Sequence, residues 1–406
     1  MKREARITLA RDPAELLRVT ARAGRAPRLG LDVEANGLFA YQASLCVLTL
    51  AWEEDGQISV AVVDPLATPI DALYPLLGPS GPTKILHDLS FDARMLDETG
   101  APLGRVRDTS VAARLLGFRA TGLATLLASE LGVTIDKRFQ QHDWSRRPLT
   151  AEQIVYLAGD VLHLLPLDAH LARKAEALDI VPEIEEECRH RLASALAARH
   201  DDSAKPPAYA RIKGGKALDA PGRAVLRSLT EARDRAAQAD DVPPFKVVGN
   251  DVLLELARRR PTTLEALLSI RGAGAGRAAS HAGALLGAIV QGLSDGDVPA
   301  DDAPFFGRAS LERNAPSREL FAARRAAEAR INAFRRAEAK QRGVDEQVIL
   351  PGHCAQDLAA ILIAHVRADP ALPGAIAGIP GLGARRFERY GEALAALAAD
   401  VASAPP

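Results

Sequence analysis

Four carboxylates and one tyrosine carry the chemistry legible in this chain. They are Asp32 and Glu34 in RLGLDVEANGL, Asp92 in KILHDLSFDARML, and Tyr156 with Asp160 in QIVYLAGDVLHLLPL. Each acid sits in an otherwise apolar stretch and is carried into or beside a core. Carboxylates are not left there uncompensated, because stripping an ion of water is costly. Several of them converging on one point call for a divalent cation. The donors are all oxygen, which suits magnesium or manganese rather than zinc. Four carboxylates can hold two ions about 3.5–4 Å apart, one activating a water and the other stabilising a leaving oxygen. A phosphodiester, whose charge the ions neutralise, is the substrate such a centre fits. Tyr156 would position the water or donate to the scissile phosphate.

Each group also has a plainer role open to it. Asp32 and Glu34 are two apart on an expected strand, so they share one face while Val33 packs on the other. A lone D-x-E is commonly a solvated strand end, but the approach LGLD reads as a central strand. Asp92 opens a helix, where an acid can simply complement the dipole; Asp88 is then the expected cap. Tyr156 and Asp160, at i and i+4, share a helix face. Thr150 and Gln153 form a capping box there, and Pro148 precedes it. His87 and His163 are weaker candidates. Arg146 and Arg147 lie just upstream, placed either to touch phosphate or to pair with Asp143 or Asp136.

The 406 residues suggest two or three domains. Residues 1–200 read as α/β, with RLGLDVE, SLCVLTLAW and QISVAVVDP as adjacent antiparallel strands, then the short buried strand TKILH. A linker is expected at 201–217, an all-helical domain at 218–293, a second linker at 294–316, and another all-helical domain at 317–400. Ile270–Arg277 and Ile379–Arg386 share I-x-G-x-G-x-x-R, the mark of a diverged repeat. Arg271 and Arg277 flank the first glycine turn and are candidate RNA phosphate contacts, as are Arg385 and Arg386 in the second. A dinucleotide-binding loop is rejected at Gly272, since no strand precedes it and Arg277 replaces the third glycine.

Net charge is −1, so nucleic-acid binding must come from local patches. Aromatic residues make up only 4%, which argues against extensive base stacking. Cys46, Cys188 and Cys354 show no metal or disulfide spacing, and a reducing cytoplasm is expected. No apolar run looks long enough to cross a bilayer, and the first residues lack a signal-peptide pattern.

With these motifs in place, the chain resembles the ribonuclease D family of 3′→5′ exonucleases. The DEDD superfamily's D-x-E falls on Asp32 and Glu34, its second acid on Asp92, and its Y-x3-D on Tyr156 and Asp160. The segment GLATLLASELGVTIDKRFQQHDWSRRPLTAEQIVYLAGDVLHLLPL is similar to the family's nearly throughout. Residues 216–293 resemble a helicase-and-ribonuclease-D C-terminal (HRDC) domain, and 317–397 a second copy less closely. The resemblance implies a ribonuclease H-like exonuclease domain, a mixed sheet flanked by helices, followed by two all-α HRDC-like domains. It also implies two bound Mg2+ or Mn2+ ions and stepwise release of nucleoside 5′-monophosphates from RNA with a free 3′-hydroxyl, tRNA precursors among them. A monomer without membrane or nucleotide-cofactor partners is expected. The chain departs from the family in ANGLFAYQ after D-x-E and at His163. Two alternatives stay open: an exonuclease acting mainly on DNA, and a non-catalytic RNA-binding or assembly protein with a degenerate site.

Overall fold

A computed structural model describes residues 5–200, 206–306 and 318–398. Two compact units emerge: residues 1–35, 45–200 and 317–406 in one, 36–44 and 201–316 in the other.

The first unit is built on a six-stranded mixed sheet. Its strands are β1 (Arg6–Ala10), β2 (Arg28–Ala35), β3 (Leu45–Glu54), β4 (Gln57–Val63), β5 (Thr83–Leu86) and β6 (Val106–Asp108), in the order β1-β4-β3-β2-β5-β6. The central run β2, β3, β4 is antiparallel, as expected; β1, β5 and β6 join in parallel. Strand β1 and the helix α1 (Pro13–Ala23) were not foreseen. RITLA alternates weakly, and its strand character comes from pairing with β4.

The middle strands are buried on both faces, so β3 reads as a continuous apolar run. Helices cover them. In chain order these are α2 (Tyr74–Leu77), α3 (Ser90–Glu98), α4 (Thr109–Leu115), α5 (Leu123–Leu131), α6 (Ala151–Leu162), α7 (Leu164–Ala177) and α8 (Val181–His200). Ala158, Val161, Leu164 and Leu165 of α6 and α7 pack on Ala51, Val60 and Ile85 of the sheet. Gly30 makes that approach possible: a Cβ there would lie 3.1 Å from the Val161 carbonyl oxygen.

One sequence expectation is corrected here. Ala151–Ala177 is a 27-residue helical span long and apolar enough to cross a membrane. Half of its most apolar 18-residue stretch is buried in the fold, and the span divides at His163 into α6 and α7. It is a pair of core helices, with Ala158, Val161, Leu164 and Leu165 against the sheet and Leu167 and Leu171 against neighbouring helices.

The C-terminal helices also belong to this unit. They run Arg318–Arg342, Glu346–Ile349, Gly352–Ala364, Leu372–Ala377 and Ala384–Ala395, around a core of Ile331, Leu358, Leu382 and Tyr390. They dock on α8. The imidazoles of His190 and His353 stack at 3.9 Å, and Arg389 pairs with Glu183 (3.2 Å) and Asp179 (2.7 Å). Arg386, read as part of a basic patch, is 1% exposed and donates to the carbonyls of Val348, Gly381, Leu382 and Glu183. Two of those carbonyls, Val348 and Glu183, lie 38 and 203 residues away, so spacing alone could not reveal the burial.

The second unit is helical. Its helices are Ala220–Ala239, Pro244–Val247, Asn250–Arg259, Leu264–Leu268, Gly276–Ser280 and Ala282–Asp295. Gly292 lies so close to the first of these that a Cβ would fall 2.4 Å from the Val225 Cα. Of the expected linkers, residues 201–205 and 307–316 lie outside the described residues. Ala208–Arg211 and Gly215–Ala217 form 3-10 turns, and Tyr209, Ile212 and Phe306 enter the helical core. The loop 36–44, which follows β2, also belongs to this unit. Tyr41 donates its hydroxyl to Asp234 (2.9 Å) and its N–H to Asp241 (3.1 Å), and Lys246 lies over Phe39 at 4.2 Å.

Candidate active site

The D-x-E acids sit at the end of central strand β2, where Asp32 stands opposite Thr49 and Glu34 opposite Val47 of β3. The pairing register breaks between Glu34 and Ala35, so the ladder loosens where the acids emerge. Val33 between them is buried. Helix α6 starts at the capping box read from the sequence, Thr150 accepting from the Gln153 N–H and the Gln153 side chain from the Thr150 N–H. That fixed start places Tyr156 and Asp160 above the strand end.

Oxygen atoms of Asp32, Glu34 and Asp160 all lie within 4.8 Å of one another. Asp92 stands beside this triad, outside it. One of its oxygens accepts from the Val33 N–H at 3.0 Å, and its charge raises the pKa of Asp32. Asp88 does not cap α3. Its own N–H and that of Leu89 donate to Asp108 (3.0 and 2.9 Å), so the helix start is held from β6 and Asp92 faces the sheet.

Burial shifts every acid upward. It is the leading cause for Asp32, raised well above the ordinary range, for Glu34, raised to about 9, for Asp92, to about 8, and for Asp160, to about 7. Repulsion from neighbouring carboxylates adds to it. Burial likewise pushes the Tyr156 hydroxyl up, followed by Asp160 and Glu34; it keeps its proton and is available as a donor. An all-oxygen cluster this close, this desolvated and this self-repelling fits a divalent cation. The indole Nε1 of Trp144 is buried without a close hydrogen-bond partner, and acts on Glu34 to oppose its shift.

The loop before α6 supports Tyr156. Trp144 stacks on it at 5.9 Å, and Phe139 meets it edge-on at 5.4 Å. Arg147 holds this loop. It pairs with Asp64 through two bonds (2.7 and 2.8 Å) and donates to the carbonyls of Cys46, Trp144 and Arg146. The sequence reading offered phosphate, Asp143 or Asp136 as its partner; the residue found is Asp64, just past the end of β4. Arg146 does pair with Asp143, at 3.3 Å. His87 is held by Thr109 (2.8 Å), and burial pushes its pKa down. In the helical unit Arg277 pairs with Asp240 at 3.5 Å, and Arg271 is exposed.

A cavity of about 450 Å³ opens over the acids. Ser110 and Arg114 of α4 contribute one wall, with Lys137 and Gln140 from the loop before α6. The sequence reading passed over Ser110 and Arg114. Their i, i+4 spacing in TSVAARLLG was the available signal, but nothing local says that this face of α4 looks toward β2.

A mixed sheet with carboxylates at the end of its central strand, crossed by a helix bearing Tyr-x3-Asp, places the chain among the 3′→5′ exonucleases. The model of the 3′-5′ exonuclease family matches residues 7–176, and that of the HRDC domain residues 222–289. The ribonuclease D of Gluconacetobacter diazotrophicus is 33% identical over 299 residues, covering 70% of this chain and 72% of that one. The ribonuclease D of a Shewanella species is 32% identical, covering 64% and 66%. The crystal structure of Escherichia coli RNase D shares the fold at a TM-score of 0.64 and 24% identity, over 96% of this chain and 98% of that one. The chain belongs to the ribonuclease D family, and it is a 3′→5′ exoribonuclease.

Proposed function

We propose that this exoribonuclease is metal-dependent, that Asp32, Glu34, Asp92 and Asp160 hold two divalent ions, Mg2+ or Mn2+, and that Tyr156 completes the site. The observation that carries this is the approach of the Asp32, Glu34 and Asp160 oxygens to within 4.8 Å of one another. Bound there, the ions would offset the charge of the phosphodiester and make a water acidic enough to attack it. The protein's own part is positioning. Asp92, tethered to the Val33 N–H, keeps the strand end and α3 together. Tyr156, backed by Trp144, donates its proton to the attacking water or to a phosphate oxygen and so fixes the line of approach. The substrate is RNA with a free 3′-hydroxyl, tRNA precursors and other small stable RNAs included, and the product a nucleoside 5′-monophosphate. Arg271 and Arg277 are proposed RNA contacts of the helical unit.

A timed digestion of end-labelled RNA, with and without chelator, tests this reading. Expected are single-nucleotide shortening from the 3′ end, arrest by chelator, and resistance of a 3′-phosphorylated end. Asp32→Ala should abolish hydrolysis while leaving the circular dichroism spectrum unchanged. Full activity in that variant would overturn the assignment. Matched DNA strands should be degraded more slowly.

A further inference from the structure

We infer that Arg114, supported by Ser110, grips a phosphate of the RNA strand on the 5′ side of the scissile linkage. This rests on the exoribonuclease reading and adds a strand-holding subsite to it.

Ser110 and Arg114 are one helical turn apart on α4 and line the cavity that also contains Asp32, Glu34 and Asp160. Arg114 is half-buried, and among the described residues it has neither an ion-pair nor a hydrogen-bond partner. Its setting is unusual for this unit. Arg147 is bound to Asp64, while Arg28 and Arg107 share Asp168. A guanidinium that gives up part of its hydration without a counter-charge is costly unless something arrives to meet it. Were its role to offset the cluster of acids, one of their oxygens would lie within ion-pair distance, and none does. The two other acids on the cavity wall are already engaged, Asp136 with Arg138 (2.6 Å) and Asp88 with Arg191 (3.6 Å).

Ser110 is a second, independent sign. It is 4% exposed, and its Oγ has no hydrogen-bond partner. A buried hydroxyl left so is a cost that a ligand oxygen would remove. Guanidinium and hydroxyl on one helix face form a donor pair for a tetrahedral oxyanion. The cavity has room for a terminal nucleotide over the acids. The scissile phosphate belongs at the carboxylates, so the next anion along the strand is the neighbouring phosphate toward the 5′ end. Lys137, exposed on the same cavity, adds attraction without geometry.

The test uses RNA oligomers with one neutral methylphosphonate at the second linkage from the 3′ end, beside unmodified RNA. The neutral linkage should cost the wild type about 10–100-fold in KM with kcat nearly unchanged, the worth of a charge-assisted contact. Arg114→Ala should show that loss on unmodified RNA and be indifferent to the methylphosphonate. Arg114→Lys should recover part of it, and Ser110→Ala should lose a few-fold. Without hydrolysis, in chelator, the Kd of a fluorescent RNA should weaken in Arg114→Ala, with the slope of log Kd against log salt falling by about one. Mn2+ affinity should match the wild type, showing the acid cluster undisturbed. An Arg114→Ala protein that keeps the wild-type KM, Kd and methylphosphonate penalty overturns the inference. A wild type without nuclease activity would instead sink the function proposed above, while the binding measurement would still decide this one.

Discussion

Arg147 gives the sharpest test of the site's architecture, because its two roles predict opposite outcomes. Its guanidinium makes two bonds to Asp64 and three to main-chain carbonyls, one of them on Trp144. The Asp64 side chain is only 5% exposed. Removing one partner of a buried pair leaves the other charge stranded, at a cost of about 3–5 kcal/mol. Arg147 is itself 25% exposed, so the lower end, about 3 kcal/mol, applies to Arg147→Met. The chain has two tryptophans, Trp52 and Trp144, both in the sheet-bearing unit. Their fluorescence during urea unfolding therefore reports on this unit alone. Arg147→Met should move the midpoint down accordingly, and the double variant with Asp64→Leu should recover much of the loss, since it strands no charge. Activity should fall through kcat, because Trp144 no longer backs Tyr156, with the KM for RNA nearly unchanged. An unchanged midpoint with weaker, less salt-sensitive RNA binding would show that Arg147 contacts phosphate and would refute the argument.

Three further outcomes follow from the same geometry. Gly30→Ala puts a methyl 3.1 Å from the Val161 carbonyl; displacing α6 should cost about 1–3 kcal/mol, with a larger loss in kcat than in RNA affinity, read by urea unfolding beside steady-state kinetics. Metal affinity should rise with pH between 6 and 9. The acids there are raised to about 7, 8 and 9 for Asp160, Asp92 and Glu34, so an incoming ion must displace protons, and each one displaced gives about tenfold per pH unit. Calorimetry in buffers of different ionisation enthalpy would detect the release, and a flat affinity over this range would contradict the shared cage. Lys84 is fully buried, donates to the carbonyls of Leu76 and Gly78, and has its pKa lowered to about 8, chiefly by burial. Between that pH and its ordinary value the unfolded chain binds more protons, so the stability of wild type relative to Lys84→Met should increase by up to about 3 kcal/mol from pH 8 to 10.5; a constant difference would count against it.

What the sequence determined was chemical identity and local placement. Two acids at period two, an acid one helical turn from a tyrosine, and a capping box that fixes where that helix begins are all settled within a few residues. They survive folding because strand alternation and helix pitch are properties of the backbone. Apolar runs likewise marked the central strands, and helical periodicity with the glycine motifs marked the helical regions. What only the tertiary structure decided was which charges are already satisfied. Arg147 looked available beside the site, yet its partner Asp64 is 83 residues away. Arg386 looked like surface charge and is buried under four carbonyls. Arg114 drew no notice and, among the described residues, stands on the acid-lined cavity without a partner. Ion pairing is a through-space interaction that falls off over a few ångströms. Its outcome depends on distances between remote segments, which the order of residues does not state.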